Sequence, residues 1–320
     1  QLQAGYPQYA RAELREATTI DPTFTEGILT LAQLDVEAKA FQVAIDALEK
    51  LIARQPTEVR AHGLLGSALL AKGDPARAIE AFRKFEAQAP RDPRGPHFLG
   101  LAFRTQGKIA EARRQFEASL ALAPESLEPM TQLVSLAFIE KKPDAALERV
   151  KQQIVRVPKS AALHHVLGGV HVARREADRA EAAYLKALEL NPNLAVTYVA
   201  LAQLYFAGGK YSQALARLED GLKVNPKDLA AHMLSGVIYE RLGDIPKARQ
   251  AYERALEVNP RFAPAANNLA YLYSEHGGDQ EKALQLAQTA KQIAPTDPSI
   301  SDTLGWILYK RGVYHRAVGL

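Results

Sequence analysis

The eight histidines are the residues of this chain best suited to metal binding or proton transfer. His62, His164 and His232 are separated by multiples of 34 residues, which indicates one repeated structural position. His164 and His171 share a helical face but lie about 10 Å apart along the axis, at about 1.5 Å per residue. A zinc ion holds nitrogen ligands at about 2 Å, so we expect structural histidines and no metal site.

Nucleophiles and phosphate-binding loops are equally poorly represented. The chain has no cysteine, which excludes a cysteine nucleophile, thiolate metal ligands and disulfides. The segment Gly208–Gly209–Lys210 lacks the upstream glycine and the following Ser or Thr of a phosphate loop. Acidic pairs such as Glu219–Asp220 fall on predicted helix surfaces, where solvation is the ordinary state. We therefore expect no catalytic residues and no cofactor, and predict that the chain is not an enzyme.

The charge distribution argues against nucleic acid as a partner. Lys and Arg number 22 against 20 Asp and Glu in residues 1–160, and 18 against 16 in residues 161–320. The net charge of +4 is therefore small and evenly spread, without the basic face that nucleic-acid binding requires. No apolar run approaches the roughly 20 residues that cross a bilayer, so we expect no membrane span.

A strict proline register organises the whole chain. Proline recurs at positions 22, 56, 90, 124, 158, 192, 226 and 260, and again at 295 after one inserted residue. A period of this length is typical of stacked two-helix repeats. We predict a single all-α solenoid over 1–320, with a half repeat at 1–22, eight full repeats over 25–295 and a truncated repeat at 296–320. Because both ends break inside a unit, we expect a fragment of a longer protein.

Each copy is built like the unit LAAHMLSGVIYERLGDIPKARQAYERALEVNP, residues 229–260. Apolar residues spaced by three and four predict a first helix over Leu229–Leu242. Gly243 accepts the left-handed conformation that ends many helices, and Asp244 is a suitable N-cap for a second helix over Ile245–Val258. Pro260 ends that helix. The whole chain is predicted to hold eighteen helices in antiparallel pairs and no strand.

Small residues recur where the two helices of a unit approach each other. The pair Gly236/Ala248 returns as Gly66/Ala78, Gly100/Ala112, Gly168/Ala180 and Gly305/Ala317. A glycine inside a helix costs about 1 kcal/mol relative to alanine, so its return indicates a steric need. Large side chains such as Tyr252 and Phe82 are predicted to fill the space beside these residues.

The pattern of Gly236, Tyr239, Gly243–Asp244, Ala248, Tyr252, Ala255 and Pro260 resembles the tetratricopeptide repeat family, and it covers the whole chain. The resemblance implies a right-handed superhelix whose concave surface is lined by the first helix of each unit. One unit departs from the pattern. In residues 127–158, Val134 replaces the small residue and Lys141–Lys142 replaces Gly-Asp, which predicts local irregularity.

The C-terminal part carries a narrower resemblance. Residues 267–298 and 301–320 are similar to bacterial repeat proteins of exopolysaccharide and PEP-CTERM sorting systems, some of which are lipoproteins. That resemblance implies an exported scaffold in the bacterial periplasm or envelope, the alternative being the cytoplasm.

The resemblance places partner contacts at the second, fifth, ninth and twelfth residues of each first helix. The candidates are Arg60, Arg94, Arg104, Phe138, Val172, Val199, Phe206, Met233, Val237, Asn267, Tyr271, Asp302, Trp306 and Tyr309. The early positions are basic and the later ones apolar or aromatic. The leading hypothesis is a non-catalytic scaffold that binds a protein or peptide segment in this groove.

Three alternatives stay open on the sequence. Tyr271, Trp306 and Tyr309 could serve as stacking platforms for a polysaccharide. The ends of the solenoid could support self-association, and the sequence does not fix an oligomeric state. The apolar groove residues could also be packed against neighbouring units and have no partner.

Overall fold

The computed structural model describes residues 7–319, which form nineteen helices and no strand. This confirms the all-α prediction. Eighteen helices were expected, and the nineteenth is the five-residue helix Tyr314–Val318, which follows the first helix of the last unit. The predictions that fall on residues 1–6 and on Leu320 lie outside the described residues.

The contacts divide the chain into two compact units, Gln1–Pro158 and Lys159–Leu320. The first contains α1 Pro7–Ile20, α2 Thr25–Glu37, α3 Phe41–Arg54, α4 Val59–Lys72, α5 Pro75–Gln88, α6 Arg94–Thr105, α7 Ile109–Leu122, α8 Leu127–Ile139 and α9 Pro143–Arg156. The second contains α10 Ala161–Ala173, α11 Ala177–Leu190, α12 Ala195–Ala207, α13 Tyr211–Val224, α14 Leu229–Arg241, α15 Ile245–Val258, α16 Ala263–Glu275, α17 Gln280–Ile293, α18 Pro298–Lys310 and α19 Tyr314–Val318.

The even-numbered helices are the first helices of the repeats and the odd-numbered helices are the second. Within each repeat, the first helix packs on the second helix, which follows it after a link of two to four residues. First helices of successive repeats also contact each other, as α2, α4 and α6 do in the first unit and α12 and α14 in the second. They form a surface that we call the first-helix face. The prediction of one solenoid over 1–320 stays a prediction.

Every link between a first and a second helix contains one left-handed residue at the same repeat position. Six are glycines with φ between 70° and 94°: Gly73, Gly107, Gly209, Gly243, Gly277 and Gly312. The other three are Lys39, Lys141 and Arg175, with φ of 61°, 58° and 62°. A residue with a Cβ is strained in this conformation. In the irregular repeat, the helices keep the usual bounds, but α8 and α9 contact each other less extensively than the paired helices of the other full repeats, in agreement with the predicted local irregularity.

The predicted capping signals are confirmed in the unit 229–260. Gly243 is left-handed with φ 75°. The carboxylate of Asp244 accepts a hydrogen bond from the backbone N–H of Lys247 at 3.3 Å, and Pro246 occupies the first turn of α15. Asn259 then ends the helix in an extended conformation.

The recurrent glycine makes room for an aromatic ring that lies sixteen residues later. A Cβ added at Gly66 would lie 2.3 Å from the ring of Phe82, and one at Gly236 would lie 2.4 Å from that of Tyr252. Gly100 stands in the same relation to Phe116, and Gly168 to Tyr184. The predicted placement of large side chains such as Tyr252 and Phe82 beside the small residues is confirmed, and the ring accounts for the steric need for glycine.

Repeats without that glycine have side chains of other sizes at the same two positions. Ala202 and Leu218 are both fully buried in one core cluster. The irregular unit has Val134 with Val150. A larger residue on the first helix therefore accompanies a smaller one on the second, as close packing requires.

Ion pairs join the second helices of successive repeats. Arg149 Nη2 lies 2.6 Å from Glu117 Oε2, linking α9 to α7. Lys282 Nζ lies 3.3 Å from Glu253 Oε1, linking α17 to α15. The second of these contacts also involves a first helix, because Lys282 Nζ donates to the hydroxyl of Tyr273 on α16 at 2.8 Å.

Candidate partner-binding surface

A pocket of about 290 Å³ opens on the first-helix face of the unit Gln1–Pro158. It is lined by Glu26, Leu29, Thr30 and Gln33 of α2, Arg60, Gly63, Leu64 and Ser67 of α4, Phe85 of α5, and Arg94 and Phe98 of α6. Arg60 and Arg94 were among the predicted residues. The α2 residues were missed, although Glu26, Leu29 and Gln33 occupy the second, fifth and ninth positions one repeat earlier. Extending the register by one unit would have identified them.

Arg60 is held by two carboxylates at this pocket. Its Nη2 and Nη1 donate to Oε1 and Oε2 of Glu26 at 2.6 and 3.0 Å, and its Nε donates to Oε1 of Glu58 at 3.0 Å. These hydrogen bonds lower the pKa of Glu26 and of Glu58 and raise the pKa of Arg60. The guanidinium is thus paired with two carboxylates at the surface of the repeats.

Arg94 is paired in the same way. Its Nη2 donates to Oδ2 of Asp92 at 2.6 Å, which lowers the pKa of Asp92 and raises that of Arg94. Its guanidinium carbon lies 5.7 Å from the centre of the Phe85 ring. Three carboxylates, of Glu26, Glu58 and Asp92, therefore surround two guanidiniums, a net charge of −1. The expected basic character of the early positions is therefore offset at Arg60 and Arg94 by neighbouring carboxylates.

Arg104 differs from these two arginines. Its Nη1 donates to Oε1 of Gln132, and no carboxylate of residues 7–319 forms an ion pair with it. Nearby, burial lowers the pKa of His97, an effect partly opposed by the carboxylate of Glu128. Phe138, the other predicted residue of this region, is half-buried on α8.

The predicted apolar residues of the second unit differ in exposure. Val172 is 43% exposed at the end of α10, whereas Val199 is 8% exposed and belongs to the core cluster of α12. Phe206 is half-buried and its ring centre lies 5.7 Å from that of Tyr211. Val172 therefore offers the largest accessible fraction of the three.

Met233 and Val237 on α14 are half-buried. Both pack against the core cluster that contains Tyr252 and Leu269. Part of each side chain is exposed to solvent, and the rest packs against residues that include Leu269 of the next repeat.

Exposed aromatic residues gather on α16 and α18. Tyr271, Trp306 and Tyr309 are 42%, 45% and 55% exposed. The rings of Trp306 and Tyr309 are stacked, with centres 5.8 Å apart and planes inclined by 19°. The indole N–H donates to Glu275 Oε1 at 2.8 Å, and Lys310 Nζ lies 2.9 Å from the same oxygen. Lys310 and then Trp306 lower the pKa of Glu275.

The two remaining predicted residues lie in contrasting surroundings. Asn267 is 9% exposed, and its Nδ2 donates to Oδ1 of Asn268 at 3.4 Å. Asp302 is exposed and lines a cavity of about 920 Å³ together with Trp306 and Tyr309.

The recurrent histidines hydrogen-bond to the links between repeats. Nε2 of His62 donates to the carbonyl oxygen of Pro56, and Nε2 of His232 to that of Pro226, each at 2.9 Å. His171 contacts Glu176 through Nδ1 at 2.6 Å. Within residues 7–319, no three His, Asp or Glu residues are grouped to hold a metal ion.

The tetratricopeptide repeat family model matches residues 29–93, 132–195, 199–257 and 239–298, which is more than half of the chain. This chain belongs to the tetratricopeptide repeat family. Proteins of the family generally mediate protein–protein interaction, and their repeats are typically non-catalytic. In the described part of this tetratricopeptide repeat chain, no helix combines the length and apolarity needed to cross a membrane.

Two solved structures are similar to this tetratricopeptide repeat chain. The crystal structure of the APC/C hetero-tetramer Cut9-Hcn1 matches with 18% identity and a TM-score of 0.54, over 93% of this chain and 59% of that one. The chain thus spans less than two thirds of that protein's length. The crystal structure of MamA matches with 26% identity and a TM-score of 0.42, over 52% of this chain and 96% of that one. No curated protein matches the chain.

Proposed function

We propose that this chain is a non-catalytic scaffold that binds a segment of another protein along its first-helix face. The observation that carries the proposal is the pocket between α2, α4 and α6, to which equivalent positions of successive repeats contribute. An extended segment crossing such a face meets each repeat in turn. An apolar lining with a few polar groups, as in this pocket, is typical of ligand-binding pockets.

The second unit supports the same proposal on its own residues. Val172, Val196, Tyr271, Trp306 and Tyr309 are large apolar or aromatic side chains of first helices, and each is 42–55% exposed. Aromatic residues are enriched among those that dominate binding energy at protein interfaces. In the described residues of the unit Gln1–Pro158, no large hydrophobic side chain at a partner-contact position is exposed to that extent. A segment bound to the first unit is therefore proposed to meet polar pairs, and a segment bound to the second unit to meet aromatic surface.

The cellular setting is proposed from sequence resemblance alone. Residues 267–298 and 301–320 are similar to bacterial proteins of exopolysaccharide and PEP-CTERM systems, which supports a scaffold in envelope assembly. The stacked Trp306 and Tyr309 support a second candidate, a polysaccharide ligand, because sugar rings stack on exposed aromatic faces.

The test begins with selection of binding peptides from a displayed random library against the whole chain. Tyr271→Ala is the test variant and Leu185→Ala its control, because these residues are 42% and 43% exposed on a first and a second helix respectively. Phe206 is a poorer choice, since it also packs against the core.

We expect Tyr271→Ala to weaken selected peptides at least about fivefold, the equivalent of a loss of about 1 kcal/mol, and Leu185→Ala to leave them unchanged. Peptides that respond to Leu185→Ala and not to first-helix variants would overturn the proposal. Titration with neutral soluble oligosaccharides forms the second arm. Oligosaccharide binding that depends on Trp306 and excludes the peptides would favour the polysaccharide candidate.

A further inference from the structure

We infer that the pocket between α2, α4 and α6 receives an aromatic side chain that carries a hydrogen-bond donor, a tyrosine or tryptophan of the bound segment. The inference rests on the proposed function and specifies the chemistry of one subsite. It follows from three properties of the pocket: its floor, its charge and its free hydrogen-bonding capacity.

The floor is aromatic and fixed. Phe85 is 2% exposed, and the ring of Phe98 lies edge-on to it, with centres 5.9 Å apart. Phe98 is also stacked on the buried Phe82 at 5.1 Å and 26°. Leu29 is 5% exposed and completes the apolar lining on the α2 side. Aromatic rings favour stacked and edge-to-face neighbours, so this floor suits another ring.

The volume admits one side chain. At about 290 Å³ the pocket lies at the lower limit of small-molecule sites, which begin at about 300 Å³. The Phe85 ring lies directly beside Gly63, since a Cβ added at Gly63 would be only 3.1 Å from it. The missing side chain of Gly63 therefore does not enlarge the pocket. The neighbouring ring thus fixes the boundary of the pocket at α4.

The charges disfavour an acidic occupant. The guanidiniums of Arg60 and Arg94 pair with Glu26, Glu58 and Asp92, so this cluster of five side chains carries a net charge of −1 and offers an incoming carboxylate no excess of positive charge. A carboxylate that bound Arg60 would have to compete with the two-point pair between Arg60 and Glu26. This subsite therefore favours an uncharged side chain.

The pocket offers several free hydrogen-bond acceptors beside its apolar floor. The hydroxyl of Ser67 donates to the carbonyl of Gly63 at 2.9 Å, and that of Thr30 donates to the carbonyl of Glu26 at 2.8 Å. Gln33 uses its Nε2 to donate to Glu37 at 3.3 Å. The hydroxyl lone pairs and the Gln33 Oε1 are left to accept hydrogen bonds. An occupant with an O–H or N–H beside an aromatic ring satisfies both the floor and these acceptors.

The probes are N-acetyl-tyrosinamide, N-acetyl-phenylalaninamide and N-acetyl-aspartate, each titrated against the whole chain by ligand-observed saturation-transfer NMR. Ser67→Phe fills the pocket. Ser135→Phe is its matched control, because Ser135 occupies the same repeat position on α8, is half-buried like Ser67, and lies outside this pocket. Thermal melting checks that both variants are folded.

We expect N-acetyl-tyrosinamide to bind about two- to tenfold more tightly than N-acetyl-phenylalaninamide, the worth of one hydrogen bond, and N-acetyl-aspartate to bind most weakly. Ser67→Phe should weaken the tyrosine probe at least tenfold, and Ser135→Phe should leave it unchanged. Preferential binding of the aspartate probe, or equal binding to folded Ser67→Phe, would overturn the inference. If the tyrosine probe fails while selected peptides still respond to Tyr271→Ala, only the subsite chemistry is wrong and the proposed function stands.

Discussion

Two neighbouring glycines of α10 offer a direct test of why glycine recurs in these helices. A Cβ at Gly168 would lie 2.4, 2.5 and 2.9 Å from three ring atoms of Tyr184. A Cβ at Gly169 would meet only the Tyr184 hydroxyl, at 3.9 Å. The variants Gly168→Ala and Gly169→Ala therefore change the same helix by the same methyl group, with and without a ring in its path.

The structure sets the expected magnitudes. Ordinary contact begins near 3.4 Å, so the ring of Tyr184 must retreat by about 1 Å (3.4 − 2.4) in Gly168→Ala. The ring is 4% exposed and has little room to move. Overpacking of this kind costs about 1–3 kcal/mol, whereas alanine gains about 1 kcal/mol over glycine inside a helix. We expect Gly169→Ala to be stabilised and Gly168→Ala to lie about 1–3 kcal/mol below it.

Hydrogen exchange in α10 and α11 is the suitable assay, because repeat arrays often unfold unit by unit and a single melting transition averages over them. A rescue variant sharpens the test. Gly168→Ala combined with Tyr184→Leu reproduces the Ala202/Leu218 combination of the next repeat, so the double variant should lose less than the sum of the two single changes. Equal protection in Gly168→Ala and Gly169→Ala would refute the role assigned to the ring.

Two further expectations concern local stability and its pH dependence. Lys141→Gly should raise the free energy of unfolding in urea by about 0.5–1 kcal/mol, because left-handed strain at a φ of 58° exceeds the entropic cost of glycine. Its control, Lys142→Gly, should not raise the free energy of unfolding, because Lys142 has a φ of −116°. Hydrogen bonds from Arg174 and His171 lower the pKa of Glu176 from 4.5 to about 2. Since the folded pKa is the lower one, the associated stability is present above pH 4.5 and is lost as the pH falls towards 2. Circular dichroism melts should show that acid loss in the parent chain and a smaller one in Glu176→Gln; an identical acid profile would contradict the assignment.

The fold was predictable because its signals are local and repeated. Gly243, Asp244 and Pro260 mark helix ends through backbone geometry alone, and the proline register then fixes every other unit. Lys141 was recognised as a departure, but its consequence is a strained residue inside a normal link. The sequence could not show this, because it does not reveal how much strain a link tolerates.

The candidate surface was predictable in position and less so in character. The register located Arg60. The net charge around its guanidinium, however, depends on Glu26, 34 residues earlier, and on Glu58 in the preceding link. Val172 and Val199 are the same residue type at partner-contact positions, and the structure separates them as exposed and buried. They occupy different positions of a first helix, the twelfth and the fifth, and Val199 packs into a core cluster that includes Tyr184 and Leu188 of the preceding second helix.

The fit between glycine and ring has a consequence for how such a chain can grow and diverge. Both members of each matched pair, such as Gly66 with Phe82, belong to one repeat. Duplicating a repeat therefore copies the glycine together with the aromatic ring that it accommodates. The two helices of the new repeat can pack against each other without further substitutions. Only the seams between copies, such as the contact of Arg149 with Glu117, must be adjusted afterwards. The 34-residue unit is thus also the natural module for recombination, and chimaeras cut at the proline links should keep their interiors intact and concentrate any mismatch at the two junctions.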